Sequence, residues 1–314
     1  MTAISDNVQI AICEELSYGV TPDNPEFYVC RLTGETLDSG VATTVLNPLD
    51  PRRQSLGSFI TSSQSTGDIS FELAFEPWLD LVVEGVMADD WSDISGGSAI
   101  QIGNLVKSFT VERRILVADG ETQYHRFTGM VVDSFNLRIR PSSLIECSVG
   151  FIGRPMQVSQ TALIGASYMT PLGRPVVRSA NVVDITLGSI PAISRCFEEL
   201  SITLSNALRV IERFGTLGPD EIMLGRADVT ASFSVLFSDS DLHELLASQD
   251  ESSLSFSTTD SVFAQWTWLL PQTLLTSSAS NAQGKEQDIV VRVNARAFLD
   301  ESSGTSFRIT ESIL

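Results

Sequence analysis

At 314 residues the chain is long enough to bury two cores of ordinary domain size without metal or disulfide staples. Hydrophobic residues make up 43% and charged residues 19%, which argues against a disordered chain, and the apolar residues are too dispersed for a membrane-crossing helix. Thirty-nine acids against 20 bases give a net charge of −19, a surface that repels nucleic acid rather than holding it by its phosphates.

The start, Met1-Thr-Ala-Ile-Ser-Asp, lacks the basic-then-apolar pattern of an export signal, so synthesis and folding in a cytoplasm are expected. Phe27 to Leu32 reads as a short strand. Gly34 to Gly67, rich in Thr, Ser, Gly and Pro, reads as a loop of a length that marks a binding or assembly element. Asp68 to Phe75 then alternates, with Ile69, Phe71, Leu73 and Phe75 on one face and Asp68, Ser70 and Glu72 on the other.

Glu76-Pro77 is a helix start, and Trp78 to Met87 reads as the helix, with Trp78, Leu81, Val82 and Gly85 near one stripe. After a turn-rich break at Asp89 to Gly97, four strands are predicted: Phe109 to Arg113, Tyr124 to Val132, Phe135 to Arg140 and Leu144 to Ile152. The last two join at a hairpin candidate, Pro141-Ser-Ser. Arg154 to Pro191, with four prolines, reads as an interdomain linker.

The second half opens with a strand at Leu200 to Leu204 and a second long loop, Ser205 to Arg226. A strand to Phe237 follows, then a helix opened by Ser238 and Asp239 with Leu242, Leu245 and Leu246 inward. Strands at Leu254 to Ser257, Phe263 to Leu269 and Ile289 to Phe298 complete it. The segment Ile69-Ser-Phe-Glu-Leu-Ala-Phe75 is echoed by Ala231-Ser-Phe-Ser-Val-Leu-Phe237, and each half reads strand, long loop, strand, helix, several strands. The chain is therefore expected to be mainly β, with two tandem domains: 1–155, a linker 156–191, and 192–314.

No catalytic constellation emerges: GxxxxGK[ST], HExxH and GxSxG are all absent. Asp89-Asp90-Trp91-Ser-Asp93 lacks the glycine and distal glutamate of a calcium loop and reads as a solvated turn, and Glu198-Glu199 as a solvated strand entry. Cys13, Cys30, Cys147 and Cys196 have no CxxC spacing and read as buried thiols; His125 and His243 read as structural. No catalytic, cofactor-binding or metal-ligating residue is assigned. Arg52 and Arg53 on the first long loop, and Arg209 and Arg213 on the second, need carboxylate partners, either locally or on a neighbouring copy.

Four segments, Phe109-Thr-Val-Glu-Arg-Arg, Gln123-Tyr-His-Arg-Phe-Thr-Gly129, Val131-Val-Asp-Ser-Phe-Asn-Leu137 and Ser148-Val-Gly-Phe-Ile-Gly-Arg-Pro155, resemble the tail tube proteins of long, non-contractile-tailed bacteriophages. Thr66-Gly-Asp-Ile-Ser-Phe-Glu-Leu73 upstream, and Gly225-Arg-Ala-Asp-Val-Thr-Ala231 and Glu251-Ser-Ser-Leu-Ser-Phe256 downstream, extend the resemblance over about residues 9 to 300. Val41 to Thr66 departs from it in carrying little charge.

The resemblance implies a β-sandwich-like or barrel-like tube domain with one flanking helix and a long loop. Its strands would join those of neighbours into a cylinder, the virion tail conduit through which double-stranded DNA passes without specific binding. A structural protein rather than an enzyme is expected, with no cofactor. Its partners would be itself and other tail proteins: tape measure, terminator and distal tail. Two such domains per chain predict a ring of three chains with pseudo-sixfold symmetry. Asp68 and Glu72 are expected to face the channel, where negative charge keeps phosphates off the wall. A carbohydrate- or receptor-binding β-sandwich is the alternative, with Trp266 and Trp268 as a stacking platform if they are not core; a hydrolase built from scattered carboxylates has nothing to recommend it.

Overall fold

The computed structural model describes residues 7–117, 121–188, 190–191, 197–236, 247–281 and 288–313. The chain begins with β1 (Val8–Glu14), β2 (Glu26–Val29), β3 (Gly34–Glu35), β4 (Asp38–Val45) and the long β5 (Ser58–Glu72). The helix α1 (Pro77–Met87) follows, then β6 (Ser92–Ile94), β7 (Gly97–Gln101), β8 (Phe109–Leu116), β9 (Thr122–Ile139) and β10 (Glu146–Gly153). The connection holds β11 (Gln157–Ser159), β12 (Ser167–Met169), β13 (Val182–Leu187) and β14 (Ile190–Pro191). The rest is β15 (Phe197–Ser205), β16 (Arg209–Ile211), β17 (Glu221–Met223), β18 (Asp228–Leu236), β19 (Ser252–Thr259), β20 (Ala264–Asn281), β21 (Val290–Phe298) and β22 (Arg308–Ile313).

Alternation of apolar and hydroxyl residues makes these strands, and pairing orders them. The first half runs β1–β8–β9–β10–β5, all antiparallel, with β3 and β4 outside β5. The second half runs β13–β19–β20–β21–β18, also antiparallel, with β15 outside β18. In chain order the two sets correspond strand for strand. Both β9 and β20 are 18 residues long. Each pairs through its N-terminal part with the preceding strand, β8 or β19, and through its C-terminal part with the following one, β10 or β21. The chain then returns along the same side, as β11 on β9 and as β22 on β20.

The halves are sewn together. β15 lies between β18 and the end of β9, with Leu200 to Ser205 opposite Ile139 to Ser134, so one sheet crosses from the first half to the second. β22 pairs with β7 of the first half. One large apolar core spans both: Phe75 of the first half lies tilted against Trp266 (4.9 Å) of the second, and Phe135 stacks on Trp268 (6.2 Å). Both tryptophans are fully buried, and Trp268 Nε1 donates to Thr258 Oγ1 at 2.9 Å.

α1 lies across this core. Pro77 occupies its first turn, where a missing N–H costs nothing, and Ala88, in the left-handed region at φ 54°, ends it. Trp78, Leu79, Val82, Val83, Val86 and Met87 make the buried stripe. Gly85 lets the helix approach β8 closely, because a Cβ there would sit 2.6 Å from the Phe109 ring.

Several expectations change. The first long loop is a two-stranded arm, β4 with the first part of β5; its Thr- and Ser-rich strands lack a buried face and so carry no core alternation. The strands expected at Tyr124 and Phe135 are one, β9, whose pairing with β10 merely shifts register between Gly150 and Phe151. The expected linker 156–191 contains strands of its own: β12 adds to β2 in parallel and β13 to β19. The loop at 205–226 carries the hairpin β16–β17. The helix expected from Ser238 lies outside the described residues, as do Phe237, His243 and Cys196.

Candidate assembly surfaces

The continuous sheet has one apolar face and one polar face. On β5, Ile69 and Phe71 are 1% exposed and point inward, while Asp68 is exposed and Ser70 and Glu72 partly so, as their alternation predicts. Directly paired residues carry the polar face across both halves: Glu72, Glu146, Arg138, Ser201, Ser232, Asn294 and Ser277 form one row. The next holds Ser70, Ser148, Asn136, Thr203, Thr230 and Arg296. The face is largely hydroxyl and amide.

Its cations are mostly neutralised in place. Arg138 donates from Nε to Glu199 Oε1, and Arg140 approaches the same oxygen at 3.6 Å. Arg296 grips Asp228, with Nε 2.7 Å from Oδ1 and Nη2 2.5 Å from Oδ2. These hydrogen bonds hold the Glu199 and Asp228 carboxyls below the ordinary carboxylate range. Arg292 is exposed and has no ion-pair partner among the described residues. Asp68 lies over Gly150, where a Cβ would meet its Oδ1 at 2.8 Å.

The arm is the second surface. β10 accompanies β5 only from Ser65 onward, so Ser58 to Gln64 have β4 as their one strand partner among the described residues, a reach of about 23 Å at about 3.3 Å per residue. Val41, Val45, Leu49, Phe59 and Ile60 are exposed along it. Arg52, at its tip, is clamped by Asp50: Nε to Oδ1 and Nη2 to Oδ2 are both 2.9 Å. That contact lowers the Asp50 pKa. Arg53 is exposed with no partner among the described residues.

The β16–β17 hairpin lies against the base of the arm, where the Ser63 N–H donates to Leu217 O at 2.5 Å. Arg213 pairs with Asp220 at 2.6 Å, and Arg209 is exposed. Structure thus gives Arg52 and Arg213 local carboxylates and leaves Arg53 and Arg209 projecting. Phe214 and Leu217 of this segment are exposed as well.

Arg154, read from sequence only as the start of a linker, anchors the hairpin. Its guanidinium lies 4.7 Å from the Tyr18 ring centroid and donates to Pro219 O (3.2 Å), Asp220 O (3.3 Å) and Gly19 O (3.4 Å). An arginine before a proline gave no hint of this.

The two sheet borders are the third surface. Beyond Thr273, β20 has β21 on one side and no strand on the other among the described residues, and β3 and β4 pair only with β5. Among the described residues no three His, Cys, Asp or Glu side chains converge as a metal site; Asp90 of the acidic turn pairs with Lys107 at 2.5 Å. Trp266 and Trp268 lie in the core and offer no stacking platform.

Comparison with known families matches residues 5–297 to the family described as phage tail tube protein. No curated protein matches the chain.

Proposed function

The chain belongs to the phage tail tube protein family, and from that premise we propose that it is the subunit of a phage tail tube, in which rings of this protein stack to form the conduit for the genome. One observation supports this above the others: the strand-pairing order of the first half returns in the second, and among the described residues the sheet built from both ends on two borders that no further strand covers. An unpaired border is an aggregation liability unless a neighbour completes it, and a closed ring completes every one.

Two tube modules per chain, 1–155 and 192–314, with the connecting 156–191 lending β11 to the first and β13 to the second, give a ring of three chains with six pseudo-equivalent modules. The polar face lines the lumen. A wall of hydroxyls and amides, with Arg138, Arg140 and Arg296 each held by a carboxylate, presents few free cations to passing phosphates, while Asp68 and Glu72 add repulsion. The arm reaches the next ring. The protein resides in the virion tail, with tape measure, terminator and distal tail proteins at its contacts and double-stranded DNA passing unbound.

Electron microscopy of the purified chain at high concentration, and of phage particles labelled against it, tests this. Rings or tubes, and label along the tail shaft, are expected. Monomers at every concentration together with unlabelled tails would refute it.

A further inference from the structure

The seat that β15 occupies on β9 has a twin on β20. On β9, β10 and β11 return along one side, leaving β8 on the other as far as Met130, and β15 follows β8 on that side from Ser134. On β20, β21 and β22 return along one side and β19 takes the other as far as Thr273. From Leu274 the place that corresponds to that of β15 holds no strand among the described residues. The first-half counterpart of β15 itself is the segment Gly34–Asp38, which lies outside β5 as β15 lies outside β18. Its own outer side likewise holds no strand among the described residues; there the Leu37 N–H donates to Glu35 Oε2 at 2.9 Å and the Leu37 carbonyl accepts from Arg113 Nη1 at 3.0 Å, side-chain contacts that a neighbouring strand would replace.

We infer that the β9–β15 pairing is an internal copy of the contact between successive protomers, in which Gly34–Asp38 of one chain adds antiparallel to Leu274–Ala279 of the next. The inference rests on the tube reading and supplies its register. Ser201 faces Ser232 as Gly34 faces Ser70, so Thr203 corresponds to Thr36 and the buried Leu204 to the buried Leu37. Asn136 faces Ser148 as Ser277 faces Asn294. Within the chain Thr203 is opposite Asn136, whose Nδ2 donates to Thr203 Oγ1 at 2.7 Å. Between chains Thr36 is therefore opposite Ser277.

The two junctions differ in charge. The internal one carries the Arg138–Glu199 ion pair; at the corresponding positions between chains the residues are Ala279 and Leu32. At these two positions the seam between copies has main-chain pairing in place of the charge pair, and the Glu35–Arg113 ion pair beside Leu37 must yield its main-chain contacts to the incoming strand.

Thr36 and Ser277 are both exposed, and directly opposed residues of an antiparallel pair are close enough to be bridged by a disulfide. Oxidising assembled Thr36→Cys/Ser277→Cys tubes is expected to give covalent dimers and trimers on non-reducing gels. Thr36→Cys alone, Ser277→Cys alone and the off-register pair Asp38→Cys/Ser277→Cys should give none. Hydrogen–deuterium exchange on the unmodified chain provides a second reading, with amides at 34–38 and 274–279 gaining at least tenfold protection on assembly. Tubes that form without that protection, or that link through the off-register pair instead, would overturn the register and leave the tube reading intact. Failure of the unmodified chain to form rings or tubes would remove both.

Discussion

Asn206, just after β15, donates through Nδ2 to Val132 O of β9 at 3.0 Å and, at the same distance, to Val86 O near the end of α1. One buried amide thus closes a helix carbonyl and a strand carbonyl of the first half from the second half. Asn206→Ala leaves two buried acceptors without a partner, and a loss of about 2 kcal/mol in unfolding free energy is expected by urea titration. Asn206→Asp, which cannot donate, should do no better. A loss below about 0.5 kcal/mol would show that the halves do not depend on this clasp.

Glu76 is fully buried and does not cap α1; its carboxylate accepts from the Leu172 N–H at 2.7 Å and the Arg174 N–H at 2.9 Å. The connection between the halves is thereby pinned to the helix start. Glu76→Ala should release it, and limited chymotryptic digestion should then cut after Leu172 at least tenfold faster than in the parent chain. Equal rates would mean that packing alone holds the segment.

Asp80, on α1, has its carboxyl pushed up to about 7 by burial, with Glu311 and Glu84 raising it further and Arg174 opposing them. The folded chain therefore favours the protonated acid. Stability from this source is complete below the unfolded value near 4, falls as pH rises toward 7, and is constant above it. Asp80→Asn should match the parent at pH 4 and exceed it by about 1–3 kcal/mol at pH 8, a difference that thermal melts across the range would resolve. A pH-independent effect would contradict this reading.

The channel assignment makes its own prediction. Asp68→Lys/Glu72→Lys places two cations on a face where Arg138, Arg140 and Arg296 are already held by carboxylates. Phage carrying the pair should release DNA more slowly, with the delay shrinking as salt rises. Unchanged release would put these side chains on another surface.

Alternation made much of this legible. Ile69, Phe71, Phe135, Leu137, Cys147 and Val149 are core residues as their spacing implies, and Glu76-Pro77 marks the helix start to within a residue. The arm was hidden because Val41 to Val45 and Ser58 to Gln64 contact no core, so nothing selects an apolar face. The single long β9 was hidden by Asp133-Ser134, where the expected strands were separated; the chain runs on through it, and only the register against β10 shifts, Gly150 facing Ser134 and Phe151 facing Val132. The pairing of β9 with β15, and the grip of Arg154 on Pro219 and Asp220, join residues some 65 positions apart and have no local signature. The polar row from Glu72 to Ser277 became visible only once the register of seven strands was known.

A reconstruction of the tube viewed down its axis tests the central claim most directly. The account predicts three copies of this 34.1 kDa chain per ring, six lobes, and an inner wall formed by β5, β10, β9, β15, β18, β21 and β20 running unbroken from each copy into the next. Six chains per ring, or a sheet that closes within one chain, would contradict it.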